Sequence, residues 1–489
     1  MLKHMKKYLK NFEAVLDFLV LTLIIFIPLY MKFPLVKVGG TFVSIRLEDI
    51  LILVVYIVWF VYLLISDGIK EFFKDKLNLA ILVFFFVSLV SVFSANYLTH
   101  TTTLNISMLH LLRRVEFIML MPLVYSVIKR ERQIYIYLTT LSIVVFIVSV
   151  YAIGQKYMRF PALSTINSEL SKGIIYYLNP MDRANSTFAG HYDLAIFLMM
   201  AISVLAAIVF YFLDKAKLKD IKNPKNKNII TSAWLILISF LSAVVLVMTA
   251  ARLSFIAAIV GIASAMILVK KQKYLLLMGI FILILAIYPS NLRDRMVSTF
   301  TVYMQKSVDT FSGTEEQQLR GKLNIPTLPG SASQQDKVQL EEVPDIAPGE
   351  PTDPTQIAIF RSLAIRLDVE WPRAIRALKK NPLLGTGYSS IGLAIDNDVL
   401  RSLGEVGILG TYALVLIIYE LFKGIIRLYK KNVGFFKYFT AGILAMIIAF
   451  IINSLFIDVF EGSKIASMFW LMCGMALATG KFVTKKKTK

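Results

Sequence analysis

The chain has 489 residues, of which 57% are hydrophobic and only 17% charged, with a mean hydropathy of +0.68. Soluble domains carry about 45–50% apolar and about 25% charged residues, so this composition excludes a soluble globule, a disordered chain and a collagen-like repeat. A net charge of +21 would suggest nucleic acid in a soluble protein; in a chain of long unbroken apolar runs it reads as basic cytoplasmic loops, with no nucleic-acid partner, and the runs themselves argue against a transmembrane β-barrel.

In chain order, a basic start leads into an apolar run at 14–30 without a small-residue cleavage site, which reads as an uncleaved signal-anchor helix. Further runs fall near 49–66, 77–97, 104–128, 133–154, 191–213, 229–249, 253–269, 274–289, 403–422, 438–456 and 465–480. Most approach the ~20 residues that cross ~30 Å of hydrocarbon. The expectation is an all-α polytopic membrane protein with about twelve transmembrane helices. Segments such as KRER, DKAKLKDIKNPKNKN, KKQK and KFVTKKKTK all fall on one side of that alternation. That side is therefore read as cytoplasmic, with both termini on it, in a multi-pass protein of the cytoplasmic membrane.

Three regions follow. Residues 1–289 hold helices 1–9. Residues 290–398 form one large extracytoplasmic loop between helices 9 and 10. Residues 399–489 hold helices 10–12 and a basic cytoplasmic tail. The middle of the loop, about 312–356, is rich in Pro, Gly, Gln and acid without an apolar period, and is expected to be a disordered acidic insertion. Its flanks have helical spacing. In IAIFRSLAIRLDVEWPRAIRALKK, Ile365, Val369, Trp371, Ile375 and Leu378 are expected to line the apolar face of an interfacial helix, with Arg366, Arg373 and Arg376 on the rest.

Ionisable groups inside or beside apolar runs are costly, and each is a candidate for chemistry or for local pairing. Arg113 and Arg114 lie within the fourth run, and Glu116 is spaced to pair with Arg113. Arg183 and His191 precede the sixth helix in MDRANSTFAGHYDLA, where Asn185 or Ser186 are candidates for ligand contact and Asp193 for a helix cap. Arg252, in the short turn TAARLS, is held at the outer boundary by two helices, a placement that suits bidentate binding of phosphate. In AIDNDVLRSLGEVGILGTYALVL, Asp396 or Asp398 is expected to cap the tenth helix, Arg401 to pair with Asp398 or Glu405, and Gly407 and Gly410 to allow close helix approach.

These segments, in this order, resemble the O-antigen ligase and Wzy-type polymerase superfamily, integral-membrane glycosyltransferases of the GT-C kind. The sharpest match is to the family's His-Asn, nine residues, Gly-x-x-Gly-Thr/Val pattern: Asn397, Gly407, Gly410 and Thr411 fit, with Asp396 at the histidine position. RANSTFAGHYDLA resembles the arginine-bearing segment before the sixth helix, TAARLS the Ser-Arg turn with Ala251 in place of serine, and WPRAIRALKKNPLLGTGY the return of the outer loop.

The resemblance implies transfer of a glycan from a polyprenyl-pyrophosphate carrier to a hydroxyl of an acceptor glycan or glycolipid at the outer face of the membrane, with no metal or cofactor. It casts Arg183 and Arg252 as the cations that neutralise the pyrophosphate and Asp396 as general base, with Asp398 or His191 as the alternatives for that role. A free Asp has a pKa near ~3.9, so that role requires a site that raises it. Asn397, Arg401, His191, Arg366, Arg373 and Tyr388 are the expected substrate contacts. Two other readings fit the layout less well: a twelve-helix secondary transporter, against which stands the absence of an internal repeat, and an inactive glycan-binding homologue.

Overall fold

The computed structural model describes residues 2–38, 44–66, 68–165, 170–180, 182–216, 227–280, 292–293, 365–392 and 395–487. The acidic insertion, most of the long loop and the second half of the run at 274–289 lie outside the described residues. Within them the chain is almost entirely helical. Among the described residues, nine helices are long and apolar enough to cross a membrane by length and composition. They are α1 (Leu2–Leu29), α2 (Leu47–Ile65), α4 (Lys76–Tyr97), α7 (Glu131–Tyr157), α8 (His191–Lys215), α9 (Lys227–Met248), α12 (Asp398–Lys431), α13 (Phe435–Ser454) and α14 (Ser463–Ala478), the last running on into α15 (Gly480–Lys487).

Shorter helices complete the set: α3 (Gly68–Lys74), α5 (Leu104–Ile118), α6 (Leu120–Val127), α10 (Arg252–Leu268) and α11 (Trp371–Lys380). The run read as one helix at 104–128 is two, broken at Met119, with Pro122 in the first turn of α6, where its missing N–H leaves no hydrogen bond unmade. Two small antiparallel hairpins lie in the connections: Val36–Lys37 with Ser44–Ile45, and Pro161–Leu163 with Ile175–Tyr177.

The core is built where helices are apolar all round. The membrane windows of α8, α13 and α14 are 72%, 72% and 83% buried inside the protein, against 28–33% for α1, α2 and α9 at the periphery. Gly442 of α13 lets the backbone of α8 come close, since a Cβ there would sit 2.9 Å from Val204 Cα. At the centre Phe450 and Phe469 stack at 4.1 Å, with Phe460 edge-on to both and Trp470 edge-on to Phe469.

Gly407 has a different task from the helix packing expected of it. Its φ of 67° breaks α12 inside the membrane-length helix, and a Cβ there would lie 2.4 Å from Leu383 O. The backbone groups freed by the break pair with the loop 382–387: Ile408 N donates to Pro382 O at 2.9 Å, Leu409 N to Leu383 O at 3.2 Å, and Thr386 N and Gly387 N to Gly404 O and Glu405 O at 2.9 and 2.8 Å. Irregular backbone at such depth persists only when its polar groups are satisfied by protein, and here they are. Thr411 Oγ1 adds a bond to Gly407 O at 2.7 Å.

The amphipathic helix corrects a second expectation. Arg373 (2% exposed), Ala374 and Ala377 face inward against Ile391 and Ile395, while Ile375 is exposed. The face that sequence spacing made polar is the one that α12 covers.

Candidate functional site

The turns at one end of the helices gather a linked set of ionisable residues. Asp458, in the turn between α13 and α14, is the hub. Its carboxylate accepts from Ile395 N (3.0 Å), Asp396 N (3.1 Å) and Asn397 N (3.1 Å), and from Arg401 Nη2 at 2.9 Å. Three backbone donors converge on it because Asp396 has φ 51°, in the left-handed region, which aspartate tolerates better than most side chains. Arg401 also reaches Glu405 Oε1 at 3.1 Å, and Glu405 in turn holds Arg114 at 3.4 Å. Arg114 pairs with Glu461 and lies 4.3 Å over the ring of Tyr388. Arg401, Glu405, Arg114 and Glu461 line a pocket together with Phe84, Phe117 and Trp470.

Asp396 points away from that chain. Its Oδ2 accepts from Arg366 Nη2 at 2.6 Å, and its side chain keeps 29% of its surface exposed. Burial raises its carboxyl above the usual aspartate range and Asp458 adds to this, while Arg366 pulls the other way. Beside it lies Glu370, which spacing did not single out. Its Oε2 is buried without a hydrogen-bond partner, and burial first, then Asp396, push it up to about 8.

A folded value above the unfolded one means that Glu370's contribution to stability is full below its ordinary value of 4.5 and is lost as the pH rises through about 8. Wild type is therefore expected to lose thermal stability between about pH 4.5 and 8 that Glu370→Gln retains. Equal losses in the two would remove Glu370 as the cause.

The two other candidate segments pack nearby. Arg183 Nη1 and His191 Nε2 are 2.9 Å apart, and the His191 ring lies tilted against Tyr192 with centroids 4.1 Å apart. Ala184 N donates to Met248 O at 3.4 Å, which lays the Arg183 segment against the turn that opens α10 with Arg252. Ser254, two residues on, donates to Asn453 Oδ1 at 3.0 Å, and Leu455 O accepts from Asn397 Nδ2 at 2.9 Å. The end of α13 thus stands between the Arg252 turn and the Asp396 turn. Each of the three segments carries a non-glycine residue at positive φ: Ser186 (50°), Ala250 (52°) and Asp396. Such conformations concentrate where the surroundings over-determine a site.

Several expected contacts are committed to the scaffold. Asn397, not Asp396 or Asp398, caps α12, accepting from Leu400 N at 2.9 Å. Asp398 instead accepts from Val459 N at 2.9 Å. Asn185 donates to Leu163 O and Ser186 to Val148 O, both from buried positions. Gly190 rather than Asp193 occupies the cap position of α8. Tyr388 is 2% exposed, with its hydroxyl 2.9 Å from Ser88 Oγ. Arg113 pairs across to Asp49 at 3.5 Å rather than along its own helix to Glu116.

A further buried cluster escaped the sequence reading altogether. Lys464 is fully buried, donates to Pro28 O and Thr187 O at 3.2 and 2.7 Å, and ties α14 to the end of α1 and to the segment that precedes α8. Asp458, Glu461 and Lys464 share the turn FIDVFEGSK between two apolar runs. That concentration of charge in one short stretch between apolar runs is the signal that would have found them.

These features define a polytopic helical membrane protein with an arginine- and carboxylate-lined site at one end of its helices. Residues 237–415 match the family model for O-antigen ligase. The resemblance read from the motifs is thereby borne out for this stretch, which is similar to the O-antigen ligase family. The match contains Arg252, Arg366, Arg373, Tyr388, Asp396, Asn397 and Arg401, whereas Arg183, His191 and Asp458 lie outside it. Among curated proteins, none matches the chain.

Proposed function

We propose that the protein transfers a glycan from a polyprenyl-pyrophosphate carrier to a hydroxyl of an acceptor glycan or glycolipid. The reaction takes place at the outer face of the cytoplasmic membrane, with about twelve helices spanning it and both termini inside. The observation that carries this reading is the placement of the Arg252 turn and the Asp396 turn on either side of the end of α13, within the O-antigen ligase match.

The acceptor oxygen attacks the anomeric carbon as the bond to the pyrophosphate breaks. Negative charge builds on the departing pyrophosphate, and Arg252 with Arg183 stabilise it more as it develops. His191 at 2.9 Å positions the Arg183 guanidinium. No metal is assigned a part. Asp396 takes the acceptor's proton. Its raised carboxyl makes it a better base than free aspartate, and Arg366 keeps it ionised and oriented. Arg401 and Tyr388 shape the walls of the site, and Arg373 acts from a buried position on α11.

The test is transfer by the purified full chain, given a polyprenyl-pyrophosphate glycan and an acceptor glycolipid. Asp396→Ala is expected to lower turnover by about 10²-fold. Wild-type activity should fall with decreasing pH as Asp396 becomes protonated. An Asp396→Asn variant as active as wild type at every pH would remove the base assignment. Solute uptake into proteoliposomes without any transfer would favour the transporter reading.

A further inference from the structure

The opposite end of the helices, where α1 begins and α12 ends, holds two joined pockets unrelated to the candidate site. One, of about 1280 Å³, lies among the end of α2, α3, the start of α4, α6 and α15. The other, of about 800 Å³, lies between α4, α6 and the ends of α12 and α14. Asp75, Asn78, Pro122 and Tyr125 border both, so the two form one groove.

Lys74, Lys129 and Lys481 face the first pocket and Arg427 and Lys431 the second, against two acids, Glu71 and Asp75. Asp75 is partly committed, since its Oδ1 caps α4 by accepting from Leu77 N at 3.2 Å. The cations are held in place. Lys481 Nζ donates to Ile128 O at 3.1 Å and sits 4.1 Å over the Tyr125 ring, and Lys129 Nζ lies 5.8 Å over the Tyr62 ring.

The level of the groove is marked by amphipathic aromatics. Trp59 and Tyr62 line it, and Trp59 Nε1 donates to Ser126 Oγ at 2.7 Å. Such residues sit at the depth of lipid headgroups. Beside the pocket, Leu64 and Phe73 are 56% and 58% exposed, an apolar surface that acyl chains would cover. A charged hollow opening next to an apolar face fits a ligand with a phosphate head and a hydrocarbon tail better than free phosphate. Basic pockets between membrane helices on the cytoplasmic side are where anionic headgroups bind.

We propose that this groove is a binding site for the phosphate headgroup of an anionic phospholipid from the leaflet on the side of the chain termini. Lys129 and Lys481 contact the phosphate, and Lys74, Arg427 and Lys431 surround it.

The experiment uses the purified full chain in detergent, offered phosphatidylglycerol or phosphatidylcholine with identical acyl chains, and counts retained lipid by native mass spectrometry. Wild type is expected to retain phosphatidylglycerol preferentially. Lys129→Gln with Lys481→Gln should weaken that retention by about thirtyfold, from two lysine contacts at the usual worth of each near an anionic surface. The pair Lys129→Arg with Lys481→Arg should keep it. Lys74→Gln with Lys129→Gln, which leaves the backbone contacts of Lys481 intact, should weaken it too and separates headgroup binding from misfolding. Lys10→Gln with Lys430→Gln, at exposed positions outside the groove, should change nothing. Equal retention of the two lipids, unchanged retention in both groove variants, or displacement of the lipid by millimolar inorganic phosphate would each overturn the proposal.

Discussion

Arg252→Ala is expected to lower glycan transfer by about 10³–10⁵-fold, the loss seen when a transition-state arginine is removed from a phosphate centre. The argument rests on placement. Arg252 is the first residue of α10, held by the turn that Ala250 makes at φ 52° and flanked by the buried Ala251 and Ser254. Its backbone cannot shift without breaking the Ser254–Asn453 bond at 3.0 Å that ties α10 to α13. A guanidinium on so fixed a base offers two parallel donors to a diphosphate. Arg252→Lys keeps the charge and loses the fork, so an intermediate rate is expected. Transfer assays on the three proteins at saturating donor settle the point. An alanine variant within tenfold of wild type would move the leaving-group role elsewhere.

Asp458→Ala should have the largest effect on stability, a loss of about 3–5 kcal/mol, because it orphans three backbone N–H groups and takes from Arg401 one of its carboxylate partners, leaving Glu405. Asp458 is the acceptor for three consecutive backbone N–H groups and for Arg401 at 2.9 Å. Arg401 holds its carboxyl below the usual aspartate value against the opposing pull of burial. Without it the turn at 395–397 loses what holds Asp396 at positive φ, so transfer should fall with the melting temperature. Asp458→Asn keeps the shape and two acceptor lone pairs and should recover part of the loss. Thermal melting in detergent reads the effect; an alanine variant that melts with wild type would show that the turn stands without this carboxylate.

The membrane class was legible because apolar runs of membrane length admit few other readings, and most predicted helices appear within a few residues of their runs. What the pattern could not carry was local irregularity. The break at Met119 leaves the hydropathy of 104–128 unchanged. The turn at Gly407 depends on Leu383 and Thr386, some twenty residues earlier, a partnership that no periodicity encodes. Arg373 shows the limit from the other side: helical spacing assigns it to the polar face, yet a small-residue surface on α11, Ala374 and Ala377, is what α12 accepts. The candidate site divides in the same way. Arg183, Arg252 and Asp396 were visible as motif positions, and the nearness of Arg183 to His191 follows from eight residues of separation. Asp458 lies about sixty residues from the turn it organises, so only the fold brings it there.

The stitching of 382–387 to 404–409 has a consequence for how the chain tolerates change. It fixes the register at which the polypeptide re-enters the helices after the long loop, so everything from Asn381 onward is aligned by contacts made after the acidic segment ends. Loop-closure entropy grows only slowly with length, each doubling adding about 0.6 kcal/mol. The stretch 312–356, read from its composition as a disordered insertion, is therefore expected to tolerate shortening, lengthening or exchange for a foreign sequence with little disturbance to the Asp396 turn. That makes it the natural place in this protein to graft a tag or a binding module.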